Sequence, residues 1–219
     1  MRILLPPSEG KTAPASGPAC DPATLSFHQH LGPIRARQWR LQPAAVRRAP
    51  SAPAHSVYSG VLYAALDYPS LSVAARRRAD RSIVIISALF GALSLADRVP
   101  AYKATMTTAL WRPSITEALD AEPATVVVDC RSTTYLGAYA PPRERTVAVR
   151  VFKQSGQQRS VITHMSKHYR GLVARALVQY ARTPRTVEAV AQIVSRDWTC
   201  ELTKPTDKQP WLLDLIVRP

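Results

Sequence analysis

The sequence predicts a single α/β (or α+β) domain over residues 1–219, with a mixed central sheet flanked by helices. Two apolar runs, 82–88 and 125–129, have the length and composition of strands buried on both faces, as in the centre of a sheet. Short helical patterns separate these runs, and a hairpin joins later strands. The chain has 219 residues, 46% of them hydrophobic, which suffices for one core, and no repeat or linker divides it.

The remaining elements are predicted in order along the chain. A strand at 2–5 is ended by Pro6-Pro7, and Pro-, Ala- and Gly-rich loop follows at 12–23. Helices are predicted within 24–40 and at 59–67, 71–79, 113–121 (with Pro113 near its start), 165–182 and 186–196. Further strands are predicted at 146–152, 160–163, 198–202 and 211–217. Irregular connections are predicted at 41–56 and 90–108.

The helix predicted at 165–182 has two faces. Apolar side chains at three- and four-residue spacing predict its core face: Met165, Tyr169, Leu172, Val173, Ala176, Leu177 and Tyr180. A second stripe at helical spacing consists of His164, Lys167, His168, Gly171 and Arg175.

The charge of the chain predicts an anionic partner. The formal net charge is +14, which attracts nucleic acid, nucleotides, or metabolites that bear phosphate or sulfate. Three widely spaced cysteines without a metal-binding pattern indicate a reducing, cytoplasmic setting. The first apolar run is too short for a signal peptide, and no run reaches membrane-spanning length. We therefore expect no metal, no other cofactor and no membrane association.

Lysine is scarce among the basic residues, which draws attention to the lysines present. Only 6 of the 29 basic residues are lysine. Three of them, Lys11, Lys103 and Lys167, lie in the most distinctive segments of the chain. Lysine offers a compact charge and a pKa that burial lowers, and arginine offers neither. These three are therefore candidates for function, with solvated surface positions as the alternative.

The first distinctive segment is Ser8-Glu9-Gly10-Lys11-Thr12, directly after a strand. Gly10 would let backbone amides turn inward, and Lys11 with the hydroxyls of Ser8 and Thr12 would add donors to an anion nest. The glycine spacing of a nucleotide-binding P-loop is missing, which excludes that class of NTPase. An ordinary polar turn is the alternative.

The second segment, 129–135, follows a predicted central strand, where α/β sheets place ligands. Arg131 would bind an oxyanion with two nitrogens, and Ser132 would add a hydroxyl. Asp129 would orient either Arg131 or Lys167. Cys130 has no neighbouring base in the sequence, so we interpret it as a buried apolar residue rather than a nucleophile.

The third segment contains His164, Lys167, His168 and Arg170. Protonated histidines beside Lys167 would lower its pKa and make it a plausible base. No further ligand cluster accompanies the two histidines, so a metal site is not expected. A solvated basic helix face is the alternative.

These segments, in this order, resemble the YaaA family, whose members are known as peroxide stress proteins or as a domain of unknown function. The matching stretches cover most of the chain: LLPPSEGKT (4–12), VYSGVLYAAL (57–66), SALFGALSLADRVPAY (87–102), LWRP (110–113), VVVDCRSTTY (126–135), VAVRVF (147–152) and SVITHMSKHYRG (160–171). The resemblance implies a mixed α/β fold with a positively charged cleft. It also implies DNA binding through a helix-hairpin-helix and a role in limiting oxidative damage linked to intracellular iron.

The sequence departs from the family pattern in two places. Family members have a longer helical region before the YSG segment, which holds the hairpin, whereas 41–56 is short and proline-rich. Family members also have extra residues between their PxY segment and their WRP-like segment. In this chain, residues 106–110 connect these two segments almost directly. The helix-hairpin-helix is therefore predicted to be shortened or lost. This favours a small anionic ligand over DNA and leaves a surface that a partner chain would cover.

The motifs support three hypotheses. The first is an enzyme, or an enzyme subunit, of a bacterial specialised pathway that acts on a small anionic metabolite. Elimination, cyclisation or transfer would expel a phosphate- or sulfate-type group without metal or redox cofactor. The others are a cytoplasmic DNA-binding peroxide stress protein and a non-catalytic nucleotide or metabolite sensor.

The predicted catalytic residues are Lys167, His164, Glu9 and Lys11. The predicted substrate-binding residues are Ser8, Thr12, Tyr58, Lys103, Arg131, Ser132 and Arg170.

Overall fold

A computed structural model describes residues 1–155, 158–162 and 165–217. Within these residues the chain forms one mixed sheet with helices on both faces, which confirms the predicted fold class. The strands in chain order are β1 (Arg2–Leu5), β2 (Ala52–Pro53), β3 (Ile83–Ser87), β4 (Gly91–Leu93), β5 (Arg98–Val99), β6 (Val127–Asp129), β7 (Thr146–Ser155), β8 (Gln158–Val161), β9 (Thr199–Thr203) and β10 (Trp211–Val217). The predicted residue His164 lies outside the described residues.

The central sheet has the strand order β4-β3-β1-β6-β7-β10-β9, and β8 pairs with β7. Its five middle strands, from β3 to β10, run parallel. β4, β8 and β9 add antiparallel pairs, so the sheet is mixed. β2 and β5 form a separate antiparallel pair.

The helices cover the two faces of the sheet. They are α1 (His28–Arg40), α2 (Ala44–Arg48), α3 (Ala54–Val57), α4 (Val61–Leu66), α5 (Val73–Ser82), α6 (Thr108–Asp120), α7 (Thr133–Leu136), α8 (Ser166–Gln179) and α9 (Val187–Val194). Side chains alternate across β1: Ile3 and Leu5 belong to the larger core beneath α4, α5, α8 and α9, while Leu4 packs in the smaller core beneath α1 and α6. None of the described helices combines the length and apolarity needed to cross a bilayer.

Two regions predicted to be irregular contain regular structure. The 41–56 connection includes α2, β2 and the start of α3, and the 90–108 loop includes β4 and β5. The helix predicted to start near Pro113 begins at Thr108 instead, with Pro113 in its interior. Its Trp111 is completely buried and donates from Nε1 to the Ala88 carbonyl oxygen over 2.9 Å. Tertiary packing therefore decides the start of this helix, against the preference of proline.

The buried face of α8 differs from the predicted one. Val173 and Leu177 are buried as predicted, but Met165 is 43% exposed. The buried set also includes Gly171, which was placed on the opposite stripe: Gly171, Val173, Ala174, Leu177 and Val178. Relative to the predicted orientation, α8 is rotated about its axis because α4 packs directly against Gly171. A Cβ on Gly171 would lie 2.8 Å from the Cβ of Ala65 and closer still to the Leu62 carbonyl oxygen.

This close approach predicts that Gly171→Ala destabilises the protein. The added methyl group would meet helix backbone that has no flexible side chain to move aside, and we expect a loss of about 1–3 kcal/mol in the free energy of unfolding. Urea denaturation of both proteins measures the difference.

Gly10→Ala is the matched control, because a Cβ there would meet only Ser59 Oγ at 3.8 Å, an ordinary contact. We expect this variant to unfold close to the wild-type midpoint. Equal free energies of unfolding for the two variants would contradict the close packing of α4 and α8.

Candidate functional site

The candidate site lies where the strand order of the sheet reverses. β1 sits between β3 and β6, so the chain leaves β1 toward β3 and leaves β6 toward β7 on the other side. Open α/β sheets bind ligands at such a point, outside the carboxyl ends of the strands. The segments that follow β1 and β6 are two of the predicted motifs. Both contribute to one cavity, called here the first cavity.

The first cavity has a volume of about 240 Å³. The loop after β1, the start of α4, the turn after β6 and the first turn of α8 enclose it. Four residues predicted for the site line it: Ser8, Glu9, Ser132 and Lys167. The structure therefore brings together residues that are up to 159 positions apart in the sequence, from Ser8 to Lys167.

Ser8 has a hydroxyl group without a partner. The residue is only 7% exposed, and its Oγ has no hydrogen-bond partner among the described residues. Gly60 packs directly against this oxygen, and a Cβ at that position would overlap with it. Leaving a buried hydroxyl unpaired costs about 1–3 kcal/mol. Such groups in native proteins call for an explanation, and a ligand group or an ordered water is the usual one.

Lys167 and Glu9 form an ion pair at the edge of the first cavity. Lys167 Nζ lies 3.4 Å from Glu9 Oε1, with side-chain exposures of 46% and 93%. An ion pair this exposed holds its two groups weakly, because water competes for both. An anion that enters the cavity would therefore displace the Glu9 carboxylate from the ammonium group at little cost.

The loop after β1 bends at Glu9 and Gly10. Gly10 is not among the described residues with positive φ, so the form of anion nest that alternates right- and left-handed residues is not built on this glycine. After the bend, the loop pairs with the segment before α4. Thr12 N donates to the Val57 carbonyl oxygen over 2.8 Å, and Lys11 bridges to Tyr58. This pairing brings Gly60 next to Ser8.

Lys11 points back into its own loop. Its Nζ donates to the Ser8 carbonyl oxygen over 2.8 Å and lies 4.4 Å from the ring centroid of Tyr102. Burial lowers the pKa of this ammonium group below 10.5, and the nearby Glu9 carboxylate opposes the shift. The cation is stabilised by one carbonyl group and by aromatic faces.

The buried ring of Tyr58 packs near the Lys11 ammonium group. It is 2% exposed, and its hydroxyl shares a 2.7 Å hydrogen bond with that of Tyr102, which in turn bonds Ser87 Oγ over 2.7 Å. The ring of Tyr58 lies 5.6 Å from Lys11 Nζ. Tyr58 was predicted to bind substrate, but the structure places it beneath Lys11 rather than along the first cavity.

Asp129 orients Arg131, which resolves the alternative left by the sequence. Arg131 Nε and Nη2 donate to the two Asp129 carboxylate oxygens over 2.9 and 2.6 Å, and Nη1 donates to the Tyr135 carbonyl oxygen over 3.1 Å. Arg131 is 3% exposed. Its guanidinium group was predicted to bind an oxyanion, but here each of its nitrogens already donates to the protein. Arg131 shapes the turn that carries Ser132.

A second cavity of about 370 Å³ adjoins the first, and Ser132 and Lys167 line both. Arg170, predicted to bind substrate, lines this second cavity. Its Nε donates to the Val149 carbonyl oxygen and its Nη1 to that of Arg131. Arg150 also lines it and was not predicted. The available signal was a single arginine within the apolar strand pattern of 147–152.

A third cavity of about 390 Å³ lies on the other side of Glu9, which lines both it and the first cavity. Lys11 and the exposed Lys103 line this third cavity together with Tyr102. The three selected lysines are thus distributed along three adjoining cavities rather than around a single point. Thr12, the remaining predicted residue, is exposed beside them.

The cysteines are not reactive groups of this site. Cys130 is completely buried, and burial raises the pKa of its thiol to about 12, so it is protonated at neutral pH. All three cysteines are free. The described residues contain no group of three or more His, Cys, Asp or Glu side chains that could hold a metal ion.

Fold and cleft together define a single-domain α/β protein with adjoining cavities at the switch point of its sheet. The family model of the peroxide stress protein YaaA matches residues 28–202. The chain therefore belongs to the YaaA family, as the resemblance of its motifs predicted.

Curated relatives agree with this assignment. A UPF0246 protein of Streptomyces coelicolor is 32% identical over 258 residues, covering 99% of this chain and 98% of the relative. A UPF0246 protein of Corynebacterium efficiens is 35% identical, covering 88% of this chain and 91% of the relative. The 258 aligned positions exceed the 219 residues of this chain, so the Streptomyces protein has residues that this chain lacks.

The buried pair predicts that Asp129→Asn is strongly destabilising. The change leaves the Arg131 guanidinium, whose side chain is 1% exposed, without its counter-charge. Removing one partner of a buried ion pair costs about 3–5 kcal/mol, which urea denaturation would measure. Glu201→Gln is the control, because the Arg159–Glu201 pair is exposed. A loss no greater than that of the control would contradict the structural role of Asp129.

The surroundings of Lys11 predict a titration below that of an ordinary lysine. Competitive acetylation across a pH series, followed by mass spectrometry of the Lys11 peptide, measures the midpoint of its amine. We expect a midpoint below 10.5, because burial disfavours the charged form. Glu9→Gln should lower it further, since the carboxylate favours the ammonium form. A midpoint at or above 10.5 in the wild-type protein would contradict this environment.

Proposed function

We propose that the first cavity binds an anionic group of a small metabolite, and that the protein is an enzyme, or an enzyme subunit, acting on that metabolite. One observation carries the proposal: the unpaired, buried Ser8 hydroxyl lines a cavity that is also lined by the Lys167 ammonium group. A hydroxyl that lacks a partner and a cation that holds only an exposed carboxylate are complementary to an incoming oxyanion.

The size of the cavity supports a small ligand. Pockets that enclose drug-sized molecules measure about 300–1,000 Å³. The first cavity, at about 240 Å³, is smaller than these and accommodates a compact metabolite or one group of it. Its lining combines apolar parts, such as Val61 and Leu62, with polar side chains that would fix the orientation of a ligand, among them Ser8, Ser132 and Lys167.

The proposed chemistry is the expulsion of a phosphate- or sulfate-type leaving group. Lys167 would stabilise the oxyanion as its bond to the metabolite breaks, and Glu9, 3.4 Å from Lys167, would accept the proton that the metabolite loses once the ion pair opens. Elimination, cyclisation and group transfer share this requirement. Neither a metal nor a redox cofactor is part of the proposal.

The family assignment and the charge keep a second candidate open. The matching family model is that of a peroxide stress protein, and the net charge of +14 suits the phosphate backbone of DNA. Cytoplasmic DNA binding is therefore the competing proposal. A non-catalytic sensor would use the same cavities without turnover.

Removing the Lys167 charge tests the small-ligand proposal. With methylphosphonate as the probe, isothermal titration calorimetry should show saturable binding to the wild-type protein. We expect Lys167→Met to weaken it about tenfold or more, since a hydrogen bond from a charged donor contributes about 1.5–3 kcal/mol. Lys208→Met removes the same charge from the β9–β10 connection and should bind as the wild type does. Equal affinity in all three proteins would discard the site.

Duplex DNA binding, titrated with salt, separates the two candidates. We expect only weak affinity at physiological salt, at or below the usual nonspecific level of about 10⁻⁴–10⁻⁶ M. Clearly tighter binding that falls steeply with salt would favour the DNA-binding role over the enzyme.

A further inference from the structure

We infer that the second cavity is a second anion subsite, so that the ligand of this protein carries two anionic groups rather than one. The inference rests on the proposed function, because it extends the same binding site. The two cavities share Ser132 and Lys167, which makes them adjoining compartments along one cleft. A ligand that reaches from one to the other would pass Lys167, with an anionic group on either side of it.

The charge of the second cavity points to an anion. Three cations line it, Arg150, Arg170 and Lys167, together with the hydroxyl-bearing Ser132 and Thr133. No acidic residue is found among its described lining residues. The third cavity differs, because the Glu9 carboxylate lines it beside Lys11 and Lys103. Arg150 is paired with Asp214 and Lys167 with the exposed Glu9, so Arg170 is the cation of this cavity that has no acidic partner among the described residues. Positive charge in a concave site attracts anions more strongly than the same charge on a flat surface.

Arg150 is held in place by an acidic partner that is not among the lining residues of the second cavity. Its Nε and Nη2 each donate to a carboxylate oxygen of Asp214 over 2.6 Å, and its guanidinium lies 5.2 Å from the ring centroid of Phe152. Register explains the pair, because Arg150 and Asp214 are direct partners on parallel strands β7 and β10. The third nitrogen, Nη1, has no hydrogen-bond partner among the described residues. A donor fixed in this way loses little conformational entropy when an anion binds.

Arg170 is held in the same manner from another side. Nε donates to the Val149 carbonyl oxygen over 3.2 Å, and Nη1 donates to the Arg131 carbonyl oxygen over 3.0 Å. Both acceptors are neutral, so the positive charge of Arg170 remains uncompensated by these contacts. Two arginines, each positioned by groups outside the cavity, therefore line the same compartment, which is the arrangement expected of a preorganised phosphate, carboxylate or sulfonate subsite.

The test compares ligands with one and with two anionic groups. Calorimetry with methylphosphonate and with α,ω-alkanebisphosphonates of one to five carbons measures each affinity. We expect one spacer length to bind about tenfold to a hundredfold more tightly than methylphosphonate, because the second group binds at a high effective concentration. Affinity plotted against spacer length should therefore pass through a maximum, with weaker binding for shorter and longer chains.

Removing the second subsite should abolish this preference. Arg150→Gln is combined with Asp214→Asn, so that no buried carboxylate is left without its partner. In this double variant, we expect the best bisphosphonate to bind only about twofold more tightly than methylphosphonate, or less, as for two groups that bind independently. The control replaces a different bidentate pair, one that does not line the second cavity: Arg159→Gln with Glu201→Gln. It should retain the full preference.

The outcomes distinguish this inference from the proposed function. If methylphosphonate binds but no bisphosphonate binds more tightly, the second subsite is refuted and the proposed function stands. If a preference exists but survives the loss of Arg150, the assignment to this cavity is refuted. If no phosphonate of either kind binds, the proposed function and the inference fall together.

Discussion

The cleft depends on the buried ion pair between Asp129 and Arg131. This pair fixes the turn after β6, and the turn supplies contacts in three directions. The Arg131 side chain holds the Tyr135 carbonyl, its own backbone carbonyl accepts from Arg170, and the next residue, Ser132, lines two cavities. A buried pair of this kind adds little net stability because of its desolvation cost. Its contribution is geometric, since it determines where neighbouring groups are placed.

Two close approaches complete the cleft, and each depends on a missing side chain. Gly171 lets α8 pack against the backbone of α4, which sets the position of Lys167 one turn earlier on α8. Gly60 leaves room for the Ser8 hydroxyl at the start of α4. The cleft thus combines rigid walls with polar groups whose own protein contacts are few or exposed. This combination suits a site whose ligand supplies the missing contacts.

Much of the fold could be predicted because burial on both faces leaves a strong compositional signal, as in the strand Ile83–Ser87. The first turn of α6 could not be predicted, because proline usually stands near the start of a helix, whereas the packing of Trp111 extends this helix on the N-terminal side of Pro113. The candidate site residues were selected as charged and hydroxyl side chains after strands, and the structure brings two of them, Ser8 and Lys167, together in one cavity. Sequence could not tell that Arg131 is used internally, since that depends on its hydrogen bonds. Arg150 was missed because an isolated cation on a strand looks like a solvated position.

The orientation of Lys11 bears on which cation this position accepts. The ammonium group has one carbonyl oxygen and the faces of two tyrosines around it, in a half-buried position. A guanidinium group is planar and presents five N–H donors, several of which would find no acceptor there. Replacement by arginine, ordinarily regarded as conservative, would therefore force the loop to open or the side chain to leave. In a chain whose basic residues are overwhelmingly arginine, this explains why a lysine stands at position 11.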